Sequence, residues 1–133
     1  MFMLDTDICI YIIRKKPTVV LKHFLRLQSG DLSMSAITYA ELMNGAKKSS
    51  MVEFNISKLN RLSEIMEIKP FDEKAAVIYG DVRSTLEKKG MIIGSNDLLI
   101  AAHAISLDST LITNNEKEFS RVDRLKIENW VKE

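Results

Sequence analysis

Three carboxylates stand at points of this sequence where an acid has unusual neighbours. Asp5 follows the apolar run Phe2-Met3-Leu4, Glu41 lies among Tyr39, Ala40, Leu42 and Met43, and Asp97 opens the apolar stretch that starts at Leu98. Acids brought together beside apolar residues form a set of hard oxygen donors, the kind that Mg²⁺ or Mn²⁺ takes while keeping several waters. Such a cation activates water and offsets the charge that builds on a phosphoryl group under attack. Histidine is not needed for this, and thiolates suit softer ions. Each acid also has a plainer role. Asp5 fits a capping turn, Glu41 fits a capping box with Thr38, and Asp97 complements a helix dipole. The residues alone therefore define a candidate acidic metal site and name no substrate.

The elements that must position these acids follow from the hydrophobic pattern. Phe2–Leu4 reads as a short buried strand, and Asp5-Thr6-Asp7 caps a helix over Ile8–Arg14 that Pro17 stops. A helix from Thr18 is expected to end near Gly30, and Leu32–Ile37 alternates as a strand. Thr38 is expected to cap a helix reaching Lys48. Further helices are expected over Val52–Met66, from Asp72 to Lys89, and over Leu98–Leu107, the last apolar nearly all round and so buried. Glu67–Lys69 and Thr110–Thr113 read as strands, Asn114-Asn115 as a turn, and Lys126–Ile127 as an edge strand. Strands separated by helices imply crossover connections. The expected fold is α/β, three layers (α/β/α) around a short, mostly parallel sheet of four or five strands. In such sheets, sites form at the carboxyl ends of the strands, which is where Asp5 and Asn114-Asn115 fall, with Glu41 one helical turn beyond the second strand.

Composition is compatible with this. The chain has 133 residues, 46% apolar and 28% charged, so residues 1–133 are expected to form one domain. Cys9 is the only cysteine, which excludes an internal disulfide and a paired-cysteine zinc site. No stretch approaches the ~20 apolar residues of a membrane span, and the first residues lack a basic leader, so a cytoplasmic location is expected. The net charge of +1 does not mark a nucleic-acid binder. The clusters Arg14-Lys15-Lys16, Lys47-Lys48 and Lys88-Lys89 read first as solvated helix ends, with a phosphate-facing rim as the alternative. His103 lies well off the face of Asp97 and reads as a core or interface residue. Cys9 and Trp130 read as packing groups, as do Tyr11, Tyr39 and Tyr79.

Four segments carry a more specific signal: Met3-Leu4-Asp5-Thr6-Asp7-Ile8-Cys9-Ile10-Tyr11; Ser33-Met34-Ser35-Ala36-Ile37-Thr38-Tyr39-Ala40-Glu41-Leu42 with Gly45-Ala46; Ile93-Gly94-Ser95-Asn96-Asp97-Leu98-Leu99-Ile100-Ala101-Ala102-His103-Ala104; and Leu111-Ile112-Thr113-Asn114-Asn115-Glu116-Lys117-Glu118-Phe119. In order and spacing they resemble the PIN-domain ribonuclease toxins of VapBC toxin–antitoxin pairs, over essentially the whole chain. The resemblance implies a PIN fold and Mg²⁺- or Mn²⁺-dependent endoribonuclease activity, leaving a 3′-hydroxyl and a 5′-phosphate on a structured RNA such as tRNA. It implies Asp5, Glu41 and Asp97 as the catalytic and metal-binding acids, with Thr6, Thr113 and Asn115 supporting them. Asn115 stands where this family often has Asp, which points to one tightly held metal before two. Asp7 and Glu118 are additional acidic candidates, Asp7 near the site and Glu118 with a solvated surface role favoured. The implied partners are a cognate antitoxin, docked on apolar surface of the Ile8–Ile13 and Val52–Met66 helices, and a second copy of the chain, with higher assembly in the antitoxin complex. Two alternatives stay open: a PIN-like RNA-binding module without catalysis, and a DNA-directed nuclease of the same fold.

Overall fold

Every strand described is short, and the three central ones are buried except for the half-buried Phe2 and Thr110. The computed structural model describes residues 1–132. Strand β1 (Phe2–Leu4) leads into α1 (Thr6–Arg14) and α2 (Thr18–Leu25). Strand β2 (Leu32–Ser35) leads into α3 (Ala36–Lys48) and α4 (Val52–Ile65), and β3 (Glu67–Lys69) into α5 (Glu73–Lys89) and α6 (Ser95–Ser106). The chain ends with β4 (Thr110–Ile112), the one-turn helix α7 (Glu116–Phe119) and β5 (Ile127–Glu128). The five strands form one sheet in the order β3-β2-β1-β4-β5, with every pairing parallel.

Side chains alternate across a strand, and this divides the core in two. Met3 and Leu111 face the layer of α5 and α6, where they join Val82, Leu86, Leu98 and Ala101. Their neighbours Leu4 and Ile112 face the other way, with Ile8, Cys9, Met34, Leu62 and Trp130. Sheet and two helical layers thus make the expected α/β/α sandwich. Trp130 anchors the last described residues, stacked on His23 with ring centroids 5.4 Å apart. Burial pushes the Cys9 thiol up, away from a reactive thiolate. Among the described residues no helix is long and apolar enough to cross a membrane.

Several boundaries differ from the sequence reading. Helix α1 starts at Thr6 with Asp5 as its cap, and α2 stops at Leu25. Helix α3 starts three residues early, capped by Ser35 in place of Thr38. The reason lies in the core. The Ser35 hydroxyl accepts from Ile37 N at 3.0 Å and meets His103 Nδ1 at 2.7 Å, so one hydroxyl caps the helix and satisfies a buried ring. Burial holds the ring's pKa below the ordinary imidazole value, against the opposing influence of the Asp72 charge and the Pro70 carbonyl. Thr38, inside the helix, is buried and turned toward Thr6. Elsewhere β2 stops at Ser35 rather than Ile37, α6 starts at Ser95 rather than Leu98, β4 stops at Ile112, β5 is shifted by one residue to Ile127–Glu128, and α7 follows the expected Asn114-Asn115 turn where no helix was expected.

Candidate active site

The strand order reverses between β1 and β4. The connection leaving β1 moves to β2 on one side, while the connection leaving β3 returns across the sheet to β4 on the other. Such a switch leaves a crevice at the carboxyl ends of the two strands. Asp5 and Thr113 are the first residues past these ends.

Asp5 is held on both carboxylate oxygens. Thr6 N donates to Oδ1 at 2.8 Å and the Thr113 hydroxyl to Oδ2 at 2.7 Å. Thr113 is itself oriented, since its Oγ accepts from Asn115 N at 2.9 Å. Glu41 reaches in from the second turn of α3. Thr6 Oγ1 lies 2.6 Å from its Oε1, and Asn96 Nδ2 donates to its Oε2 at 3.3 Å. Asp97 comes from the first turn of α6, whose cap residue Gly94 has no side chain to cap with. A Cβ added at Gly94 would stand 3.4 Å from Asp97 Oδ2, in ordinary contact, which shows how near that carboxylate lies to the start of the helix.

Glu118 belongs to this group, contrary to the surface role favoured from sequence. Its Oε1 accepts from Gly94 N at 3.2 Å and its Oε2 from Asn115 Nδ2 at 2.6 Å. It also shares a hydrogen bond with Asp97. The neutral amide of Asn115 thus acts as a donor that draws a different acid into the cluster. Asp7 lies at the margin, accepting from Ile8 N at 2.7 Å and Asn114 N at 3.2 Å.

The electrostatics are those of acids crowded together, with the charge of Arg121 favouring ionised Glu118 at one side. Burial, then the neighbouring charge of Asp7, pushes Asp5 from 3.8 up to about 7, and the bonds from Thr113 and Thr6 only partly oppose this. Burial, then the bond to Glu118 and the charges of Asp5, Glu118 and Glu41, pushes Asp97 up to about 7. Burial also raises Asp7. Glu118 moves the other way, held down by the bonds from Asn115 and Asp97. Opposed shifts within one acidic group show where a cation would relieve repulsion. Among the described residues, no three carboxylate, imidazole or thiol groups converge tightly enough to enclose a metal by themselves. Simultaneous ligation by Asp5, Glu41 and Asp97 is therefore not preformed.

The fold brings together all the acids expected from sequence, together with Thr6, Thr113 and Asn115. It adds Asn96, which the sequence reading left without a role although it directly precedes Asp97. His103 stays outside, edge-on to Phe71 with centroids 5.4 Å apart.

The PIN domain family matches residues 2–125. The ribonuclease VapC2 of Rickettsia felis is 46% identical over 132 residues, 98% of each chain. The tRNA(fMet)-specific endonuclease VapC of Shigella flexneri is 39% identical over 129 residues, 97% of each chain. Among solved structures, that of Rickettsia felis VapBC2 bound to a promoter DNA fragment superposes with a TM-score of 0.89 at 44% identity, covering 97% of this chain and 98% of that one.

Proposed function

Since this chain belongs to the PIN-domain family, we propose that Asp5, Glu41, Asp97 and Glu118 form the catalytic centre through which it works. The chain is a toxin endoribonuclease of the VapC type, partnered by an antitoxin. The observation that carries the assignment of its centre is the convergence of these acids, from four separate elements, on the crevice between β1 and β4. The last strand, β5, lies beyond the matched segment yet pairs with β4, which supports reading residues 1–133 as one PIN domain.

Ribonucleases of this family are generally divalent-metal dependent, and the donor set here fits Mg²⁺ or Mn²⁺. All the donors are hard oxygens, and an open group of carboxylates suits an ion bound through one or two of them with waters completing the shell. When bound, such a cation supplies Lewis-acid polarisation of a phosphoryl oxygen and of water. The protein's own part is positional. Thr6 ties Asp5 to Glu41 through its backbone and hydroxyl, and Thr113 fixes Asp5 from the opposite strand. Asn96 holds the outer oxygen of Glu41. The pair Asp97–Glu118 holds a proton between two carboxylates near neutral pH, which a bound cation would release. Asp7 adds negative charge at the rim.

We assign the substrate to structured RNA such as tRNA, supported by the Shigella flexneri relative named for tRNA(fMet), and its site of action to the cytoplasm. For the antitoxin, a groove of about 520 Å³ runs between α1, α2 and α4. Ile12, Leu21, Phe24 and Leu62 line it, and Arg14, Lys15, Lys58 and Arg61 rim it. An amphipathic helix with acidic flanks fits that chemistry. A homodimer, with higher assembly in the antitoxin complex, completes the reading. The test is cleavage of RNA by the purified chain in Mg²⁺, with and without chelator, beside Asp5→Asn and Asp97→Asn. Full activity of either variant, or equal activity in chelator, would sink the assignment.

A further inference from the structure

A second cleft, of about 330 Å³, lies between α1, α3 and α4 and opens directly onto the acids, since Thr6 and Glu41 form its inner end. Ile10, Leu42 and Leu59 supply apolar walls. Arg14 stands at the rim and is exposed. Its polar equipment is a braced amide. Ser49 Oγ donates to the Ala46 carbonyl at 2.7 Å and accepts from Asn55 Nδ2 at 2.9 Å. This fixes the Asn55 side chain and leaves its carbonyl oxygen and second N–H for an incoming group. Gly45 forms part of the wall, and a Cβ added there meets nothing within 4 Å. Glycine weakens a helix interior, so its presence in α3 works against the helix and for the open space.

The size of the cleft selects among occupants. It is at the small end of ligand pockets, and a partner helix, ~10 Å across with its side chains, would not enter it. A flat ring system would. We propose that this cleft receives the nucleobase of a nucleotide adjoining the scissile phosphate, with apolar side chains against its faces, Asn55 bonding its edge and Arg14 meeting a flanking phosphate. One donor beside one acceptor is what an amide offers and what every base presents on its Watson–Crick edge. The site therefore selects an unstacked, single-stranded nucleotide and would contribute to which bond is cut. This inference rests on the endoribonuclease reading above.

The test uses tRNA and stem-loops taken from it, in Mg²⁺, with one abasic ribonucleotide placed in turn at each unpaired position flanking the cleaved bond. Wild type should lose about 10- to 100-fold in kcat/KM at one such position, the scale of a single buried base. Gly45→Met, which fills the cleft, should cut intact RNA at the rate wild type shows on that abasic RNA, and adding the abasic site should cost it nothing more. Asn55→Ala should lose part of the same effect, and it carries the test if Gly45→Met abolishes cleavage altogether. Losses that simply multiply, or a Gly45→Met chain that cuts intact RNA like wild type, overturn the proposal and leave the cleft to some other ligand. Wild type that cuts RNA with no position-dependent abasic loss overturns the cleft alone, whereas wild type that cuts no RNA overturns the endoribonuclease reading and the cleft together.

Discussion

The two ends of α1 do opposite work. At its N-terminus, Asp5, Thr6 and Asp7 face the crevice, where carboxylates are buried beside one another and Asp5 is pushed up to about 7. At its C-terminus, Ile12 and Ile13 line the partner groove while Arg14 and Lys15 stand exposed in water. Both ends agree in sign with the helix macrodipole, acids at the start and bases at the end. Their costs are not alike. The basic end is solvated and cheap to maintain, whereas the acidic end holds carboxylates away from water and beside one another. Stored repulsion at one end and an apolar docking surface with a basic rim at the other are what a metal enzyme with a protein inhibitor requires.

Breaking the acidic end should have the largest effect. Asp5→Asn and Asp97→Asn should each lower kcat for RNA cleavage by about 10³-fold, the scale of removing a charge-stabilising group from a water-poor site. A loss below tenfold in single-turnover assays would mean that the burden on this end serves something other than catalysis. Thr113→Ala leaves every acid in place and removes only the brace on Asp5. It should cost about 10- to 100-fold in metal affinity or activity, read by calorimetry with Mn²⁺ beside the cleavage rate.

The same repulsion predicts a pH dependence of stability. Folded Asp5 and Asp97 hold protons up to about pH 7, whereas the unfolded chain releases them near the ordinary value of 3.8. The folded state therefore binds more protons across this window, and its stability falls as pH rises from about 4 to about 7. The melting midpoint of the metal-free protein should drop by a few degrees between pH 5 and pH 8 relative to Asp5→Asn. Millimolar Mg²⁺ should restore it at pH 8 and do little at pH 5. A flat profile would erase the contrast between the two ends. The smallest effect belongs to the basic end. Arg61→Glu on the groove rim should weaken antitoxin binding by about tenfold at low salt, and by less as salt rises.

Much of this layout was readable from residue order. Strands β1 and β4 could be placed from short apolar runs, and the acids past β1 and opening α6 were identifiable because they interrupt such runs. What escaped was decided by contacts between distant residues. Ser35 and Thr38 are comparable N-caps in local terms, and the choice between them turns on a histidine 68 residues away that needs the Ser35 hydroxyl. Glu118 sits in a four-residue helix among other charges, with no local mark of its role. Its place is set by the Gly94 amide, 24 residues earlier, and by the Asn115 side chain. Asn115 itself, an apparent loss of charge in one dimension, is a donor that gathers charge in three.

The bond from Thr113 to Asp5 spans 108 residues, and it dates the birth of the enzyme. Strand β1 is the middle of the sheet, yet one of its two neighbours is made almost last. A chain leaving the ribosome carries Asp5 from the outset, with no Thr113 to hold it and no β4 to close the crevice. Parallel strands this far apart pair late. The acids are thereby left unbraced, and the crevice open on one side, until the residues through Thr113 have been made and have folded onto β1.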